Sequence, residues 1–223
     1  MTTMVWLVSH AANAALRAGT FAVTAREDAH EAHEESEAHE EAEALDARSA
    51  AAMEAWRERW LARIGRSARV IASPAAIAVA TARAAGFAAA GIERSHALAE
   101  AGFGAWQGRR LADIAQEAPD ALAAWTRDAA FRPPGGESFD DVRARLGAWL
   151  DALASQSPSS SSSSPSSPCE TVVAFASASV LRAAILHALE APSASWRAIE
   201  IAPLDVVLLR RAREGWVWVA HPA

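Results

Sequence analysis

Val5-Trp6-Leu7-Val8-Ser9-His10-Ala11 is the stretch on which the fold turns. Four apolar residues in a row, rich in β-branched and aromatic types, read as a strand buried in a sheet covered on both faces. The apolar run stops at Ser9 and His10. In an open parallel sheet, ligands sit beyond the carboxyl ends of the strands, so His10 stands where a pocket would open. The same position suits an ordinary strand-end histidine bonded to a nearby carbonyl, and so short a match does not choose between the two.

Working outward, Ala12 to Arg17 starts a helix that Gly19 ends. Ala47 to Ile64 carries Met53, Trp56, Trp60, Leu61 and Ile64 at helical spacing with arginines opposite, which predicts an amphipathic core helix. Val70-Ile71-Ala72 is a short buried strand. Ser73 then stands as an N-cap and Pro74 at the first helical position of a helix through Ala85. Leu111 to Ala118 and Pro119 to Ala129 are two short helices. Phe131 to Ser138 is a turn-rich loop, and Ser138 caps a helix over Phe139 to Leu153. Thr171 to Phe175 is the next buried strand, followed by a helix over Val180 to Leu189. Ile199 to Leu209 and Trp216 to Val219 close the sheet through a turn near Gly215. The alternation of strands and helices predicts an α/β fold of three layers, α/β/α, around a central, mostly parallel sheet.

The 223 residues, 52% of them hydrophobic, suffice for one core, so a single domain over 1–223 is the simplest count. Two low-complexity stretches interrupt it. Residues 26–46 are nearly all Glu, Ala and His; His30, His33 and His39 invite a metal site, but carboxylates at every other position offer no closed geometry. We read this stretch as a solvated acidic insertion, able at most to hold divalent ions weakly or a basic protein partner. Residues 155–168 are almost all serine and proline and read as a flexible surface loop. A net charge of −6 argues against nucleic acid. No run is long and apolar enough to suggest a membrane span, and no leader peptide is evident. The single cysteine, Cys169, fits a reducing cytoplasm. Arginine supplies all the basic charge, which with the heavy alanine content suggests a GC-rich bacterial genome. No metal or cofactor is expected.

Five segments, in order, resemble the histidine phosphatase superfamily, also called phosphoglycerate-mutase-like. Ser9-His10-Ala11 stands where that family has Arg-His-Gly. Ala72-Ser73-Pro74 through Ala82 matches its second segment, and Leu98-Ala99-Glu100 through Gly108 its third. Pro134-Gly135-Gly136-Glu137-Ser138 is intact, with Asp141 and Arg145 following. Phe175 to Arg182 matches the last segment, strand-His-Gly-Gly-Val-Ile-Arg. The middle segments look most like the branch containing bacterial α-ribazole-phosphate phosphatases.

The resemblance implies a phosphoric monoester hydrolase. A histidine takes the phosphoryl group, a carboxylic acid protonates the leaving oxygen, and two arginines with a second histidine hold the phosphoryl oxygens, because charge on a transferring phosphoryl group must be met by preorganised cations and donors. Carried over, His10 matches the nucleophile and Glu100 the acid. The rest departs: the arginines are replaced by Ser9 and Ile77, the second histidine by Ser177, and the flanking glycines by Ala11, Ala178 and Ser179. Losing one such donor typically costs ~10²–10³ in turnover. Ser9 and Ser177 can offer only neutral hydrogen bonds to a ligand. Arg17, or an arginine of the loop around Arg132, is the substitute cation the sequence offers; Arg182 is kept, but on the helix. The expectation is a degenerate phosphate pocket, catalytically impaired or non-catalytic, that binds a small and in some cases phosphorylated molecule. The alternatives are a working phosphomonoesterase with a relocated cation, and an interaction module acting through the acidic insertion.

Overall fold

A computed structural model describes residues 3–23, 45–156 and 170–220. Most of the acidic stretch and of the serine-rich stretch, with Cys169, therefore lies outside the described residues. Six strands form one sheet: β1 (Thr3–Ser9), β2 (Arg69–Ala72), β3 (Ile92–Arg94), β4 (Glu170–Ala176), β5 (Val206–Arg211) and β6 (Trp216–Val219), in the order β3-β2-β4-β1-β5-β6. β3, β2, β4 and β1 are parallel, and β5 pairs antiparallel with both β1 and β6. The helices are α1 (Ala14–Arg17), α2 (Ala47–Ile64), α3 (Ala76–Ala84), α4 (Leu111–Glu117), α5 (Pro119–Arg127), α6 (Phe139–Gln156) and α7 (Ala178–Ala188).

Strand alternation sorts the core into two apolar clusters. Val5, Leu7, Val172, Ala174, Val207 and Leu209 face α6 and α7 on one side. Trp6, Val8, Val173, Phe175 and Leu208 face α2 and α3 on the other. Period-two alternation with apolar residues on both faces is what a sheet covered twice requires, and the result is the expected three-layer α/β/α arrangement. A third, smaller cluster packs Phe21, Phe103, Trp106 and Ile114 with Trp125 and Phe131, joining α4 and α5 to the loops at the strand exits.

Most predicted elements stand within a few residues of their places, and the departures have physical reasons. α3 begins at Ala76 rather than at Pro74, and Ser73 is not its cap; the Ser73 hydroxyl only receives the Ala75 amide at 3.4 Å. The predicted strand from Ile199 starts seven residues later, at Val206, because Pro203 and a left-handed Leu204 (φ 68°) turn the chain first. β3 carries no apolar run; only Ile92 is apolar, and the strand sits at the sheet edge. Ser138 does cap its helix: its hydroxyl receives the Asp141 amide at 3.2 Å while the Asp141 carboxylate receives the Ser138 amide at 2.9 Å. That reciprocal pair is the capping-box arrangement, with aspartate as the acid.

Candidate active site

β1 and β4 are neighbours, and the chain leaves them toward opposite faces of the sheet: α2 covers one face, α7 the other. Two adjacent strands whose following helices diverge leave a crevice beyond their carboxyl ends. His10 follows β1 into this crevice and Ser177 follows β4. Backbone bonds fix both exits. The His10 amide donates to the Ala176 carbonyl at 2.8 Å, the Ser9 amide to the Asp205 carbonyl at 2.9 Å, and the Ser73 amide, at the β2 exit, to the Phe175 carbonyl at 2.8 Å. Ser9, Ser73 and Ser177 are buried, and His10 is half-buried.

The imidazole of His10 is oriented by its own chain. Its Nδ1 lies 3.0 Å from the Ala11 carbonyl oxygen. A carbonyl can only accept, so Nδ1 carries the hydrogen, and in the neutral ring the lone pair is on Nε2. The next amide, of Ala11, donates to Thr81 Oγ1 at 3.1 Å, and that hydroxyl donates to the Ile77 carbonyl at 2.6 Å. Thr81 thus ties α3 to the residue after the histidine. Nothing in the sequence beyond its place in the second segment singles it out.

Glu100 sits half-buried in a loop that follows a short 3-10 turn, His96–Leu98. Burial pushes its carboxyl above the ordinary carboxylate range, and the His10 charge offsets part of the rise. The structure therefore brings the two residues into one electrostatic neighbourhood. The Glu100 loop crosses the Pro-Gly-Gly-Glu loop at backbone distance. A Cβ on Gly104 would stand 2.2 Å from the Pro134 carbonyl oxygen, and one on Gly136 would stand 2.4 Å from the Gly102 carbonyl oxygen. The sequence reads both glycines only as part of a turn-rich loop. Gly135, at φ 72°, makes the turn; Gly136 is needed for the crossing.

The two arginines offered as substitute cations are each paired with a carboxylate. Arg17 pairs with Asp46 and also donates to Ser49 Oγ at 3.1 Å and to the Ala12 carbonyl at 3.2 Å. Arg132 makes a two-pronged contact with Asp141, at 2.8 and 2.7 Å. Arg182 donates to the Ile199 carbonyl at 2.8 Å. Ile77, where the resemblance expects an arginine, is buried. The Ser177 hydroxyl leaves the α7 amides uncapped and lies 2.8 Å from the Ser179 hydroxyl. Among the described residues no group of three or more His, Cys, Asp or Glu side chains is arranged to hold a metal ion, and no helix is long and apolar enough to cross a membrane.

Comparison with known proteins agrees with this fold. The family model of the histidine phosphatase superfamily (branch 1) matches residues 37–222, a span that leaves out β1 and His10. A bifunctional protein of Mycobacterium tuberculosis is 42% identical over 95 residues, covering 42% of this chain and 26% of that protein. A glucosyl-3-phosphoglycerate phosphatase of the same species is 36% identical over 102 residues, covering 46% of this chain and 45% of the relative. The chain thus spans less than half the length of these curated relatives. Solved structures align over nearly all of it. A mycobacterial glucosyl-3-phosphoglycerate phosphatase complexed with VO3 has TM-score 0.68 at 21% identity, covering 97% of each chain. The α-ribazole phosphatase of Shigella flexneri has TM-score 0.73 at 17% identity, covering 97% of this chain and 95% of that one. At such identities the likeness is one of fold.

Proposed function

The chain belongs to the histidine phosphatase superfamily, and we propose that within it this protein is a member with a degenerate phosphate pocket, non-catalytic or severely impaired, that binds a small molecule at the exits of β1 and β4. One observation carries the reading. Both arginines that could replace the missing cations are committed elsewhere, Arg17 to Asp46 and Arg132 to Asp141. A phosphate dianion entering the crevice would meet hydroxyls, backbone amides and one imidazole. Neutral hydrogen bonds are about half as strong as the charge-assisted ones they replace, and a desolvated anion without a paired cation is strongly disfavoured. A ligand with hydroxyl or carbonyl groups and little charge suits Ser9, Ser73 and Ser177 better.

A second reading, a surviving weak phosphomonoesterase, is favoured by a specific observation. The Nδ1–Ala11 contact leaves Nε2 free to attack, and the raised carboxyl of Glu100 can hold a proton for a leaving oxygen. In that reaction the ester P–O bond breaks as a P–N bond to His10 forms, and water then releases phosphate. Hydrolysis of an aryl phosphate, of α-ribazole phosphate and of glucosyl-3-phosphoglycerate by the parent, beside its His10→Ala variant, separates the two. Equal background rates support the degenerate pocket. Turnover that disappears with His10 overturns it in favour of the enzyme.

A further inference from the structure

The loop that carries Glu100 is anchored before it by buried Leu98 and after it by buried Phe103, and Glu100 itself is half-buried between them. What gathers the loop is a side chain from α6. The Arg145 guanidinium donates through one terminal nitrogen to the carbonyls of His96 at 3.2 Å and Ala97 at 2.8 Å. Through the other it donates to those of Ala99 at 2.5 Å and Glu100 at 3.2 Å. Its third nitrogen, Nε, donates to Glu137 Oε1 at 3.3 Å. Glu137 in turn receives the Gly102 amide at 2.9 Å through Oε2. One planar cation therefore binds four carbonyls within residues 96–100 and, through Glu137, the amide on the far side of Glu100.

This is a use of arginine that lysine cannot copy, because five donors in a rigid fork are spread over acceptors that diverge. The guanidinium reaches the Glu100 carbonyl, not its carboxylate. Burial and His10 are the influences on that carboxylate, and Arg145 is not among them. The cation fixes where the chain runs and leaves the acid free to face the crevice.

We propose that Arg145 is the positioning residue of this site, clamping the backbone of residues 96–100 so that the Glu100 carboxyl is held beside His10. The proposal rests on the reading of His10 and Glu100 as the paired groups of the ligand site. Arg145 acts through the backbone that carries Glu100.

The test follows the side-chain carboxyl signal of Glu100 by carbon NMR through a pH titration, with the signal identified by its absence in Glu100→Gln. In the parent it titrates above the ordinary glutamate range. In Arg145→Gln it moves down toward that range, as the loop loosens and water reaches the carboxyl. In Arg145→Lys it lies between the two. Arg132→Gln serves as a control, since it breaks a neighbouring ion pair without touching residues 96–100, and it leaves the signal where the parent has it. A folded Arg145→Gln protein with an unmoved Glu100 overturns the proposal while leaving the site reading intact. If Arg145→Gln does not fold, Arg145→Lys decides in the same way. A parent Glu100 that titrates as an ordinary surface glutamate overturns the site reading and the proposal with it.

Discussion

The Gly102 amide donates to the Glu137 carboxylate at 2.9 Å, and the Glu137 amide returns a bond to the Gly102 carbonyl at 2.7 Å. This reciprocal pair buckles two loops distant in sequence, and where they cross no Cβ fits on Gly104 or Gly136. Gly136→Ala is therefore expected to cost about 3 kcal/mol or more, in the range of severe steric substitutions. Gly135→Ala, with open space around its Cβ and a left-handed backbone, is expected to cost about 1 kcal/mol. Thermal unfolding of the two variants checks the ranking.

Glu100 predicts a stability profile of its own. A carboxyl whose folded-state pKa is raised above its ordinary 4.5 contributes stability below that value and loses it as the pH rises through the folded-state midpoint. Glu100→Gln removes the titration. The variant and the parent are expected to unfold alike near pH 4, and the variant is expected to be the more stable at neutral pH. Denaturant melts at the two pH values read the difference. A parent more stable than the variant at neutral pH would contradict the burial argument.

Asp141 works with the opposite sign. Arg132 and the Ser138 amide hold its carboxyl down to about 2 from an ordinary 3.8. Its contribution is present above pH 4 and is lost as the pH falls toward 2. The pair is partly exposed, so solvent screening limits the contribution to roughly 1 kcal/mol. Asp141→Asn should lower the unfolding temperature at pH 7 by a few degrees and flatten the acid limb between pH 4 and pH 2, which a melting series over pH records.

Restoring the donors that the family resemblance implies tests the proposed degenerate pocket directly. The double variant Ser9→Arg, Ser177→His places a cation and an imidazole at the exits of β1 and β4. It is expected to raise aryl phosphate hydrolysis by ~10²-fold or more over the parent, the usual worth of one preorganised donor. Steady-state rates of the double variant, with His10→Ala added as its control, measure the gain. A folded double variant no faster than the parent would mean that more than the clamp has been lost.

How far the sequence could be read depends on what each residue is doing. The strand of Val5 to Val8 and the helix of Met53, Trp56 and Trp60 announce themselves, because burial writes a period into the chain. Ser138 announces its helix because caps are local. The edge strand Ile92–Arg94 does not, since it buries little and two of its three residues are exposed charges, Glu93 pairing with Arg69 of β2. The site divides the same way. His10 and Glu100 could be placed by motif, but the engagement of Arg17 by Asp46 brings together residues 29 positions apart, and that of the Glu100 loop by Arg145 spans more than 40. Long-range polar contacts leave no periodic trace. Gly136 shows the limit within a motif: sequence supplies the glycine, and only the crossing chain explains it.

The exits of β1, β2 and β4 are tied by amide-to-carbonyl bonds from His10, Ser9 and Ser73. None of those ties passes through a side chain. Substitution at positions 9 and 73 therefore leaves those ties in place, and because Ser9, Ser73 and Ser177 are buried, the side chains they accept without overpacking are small ones. The crevice behaves as a socket on a fixed chassis, and libraries of small residues at those three positions would select for ligand preference while the strands keep their register.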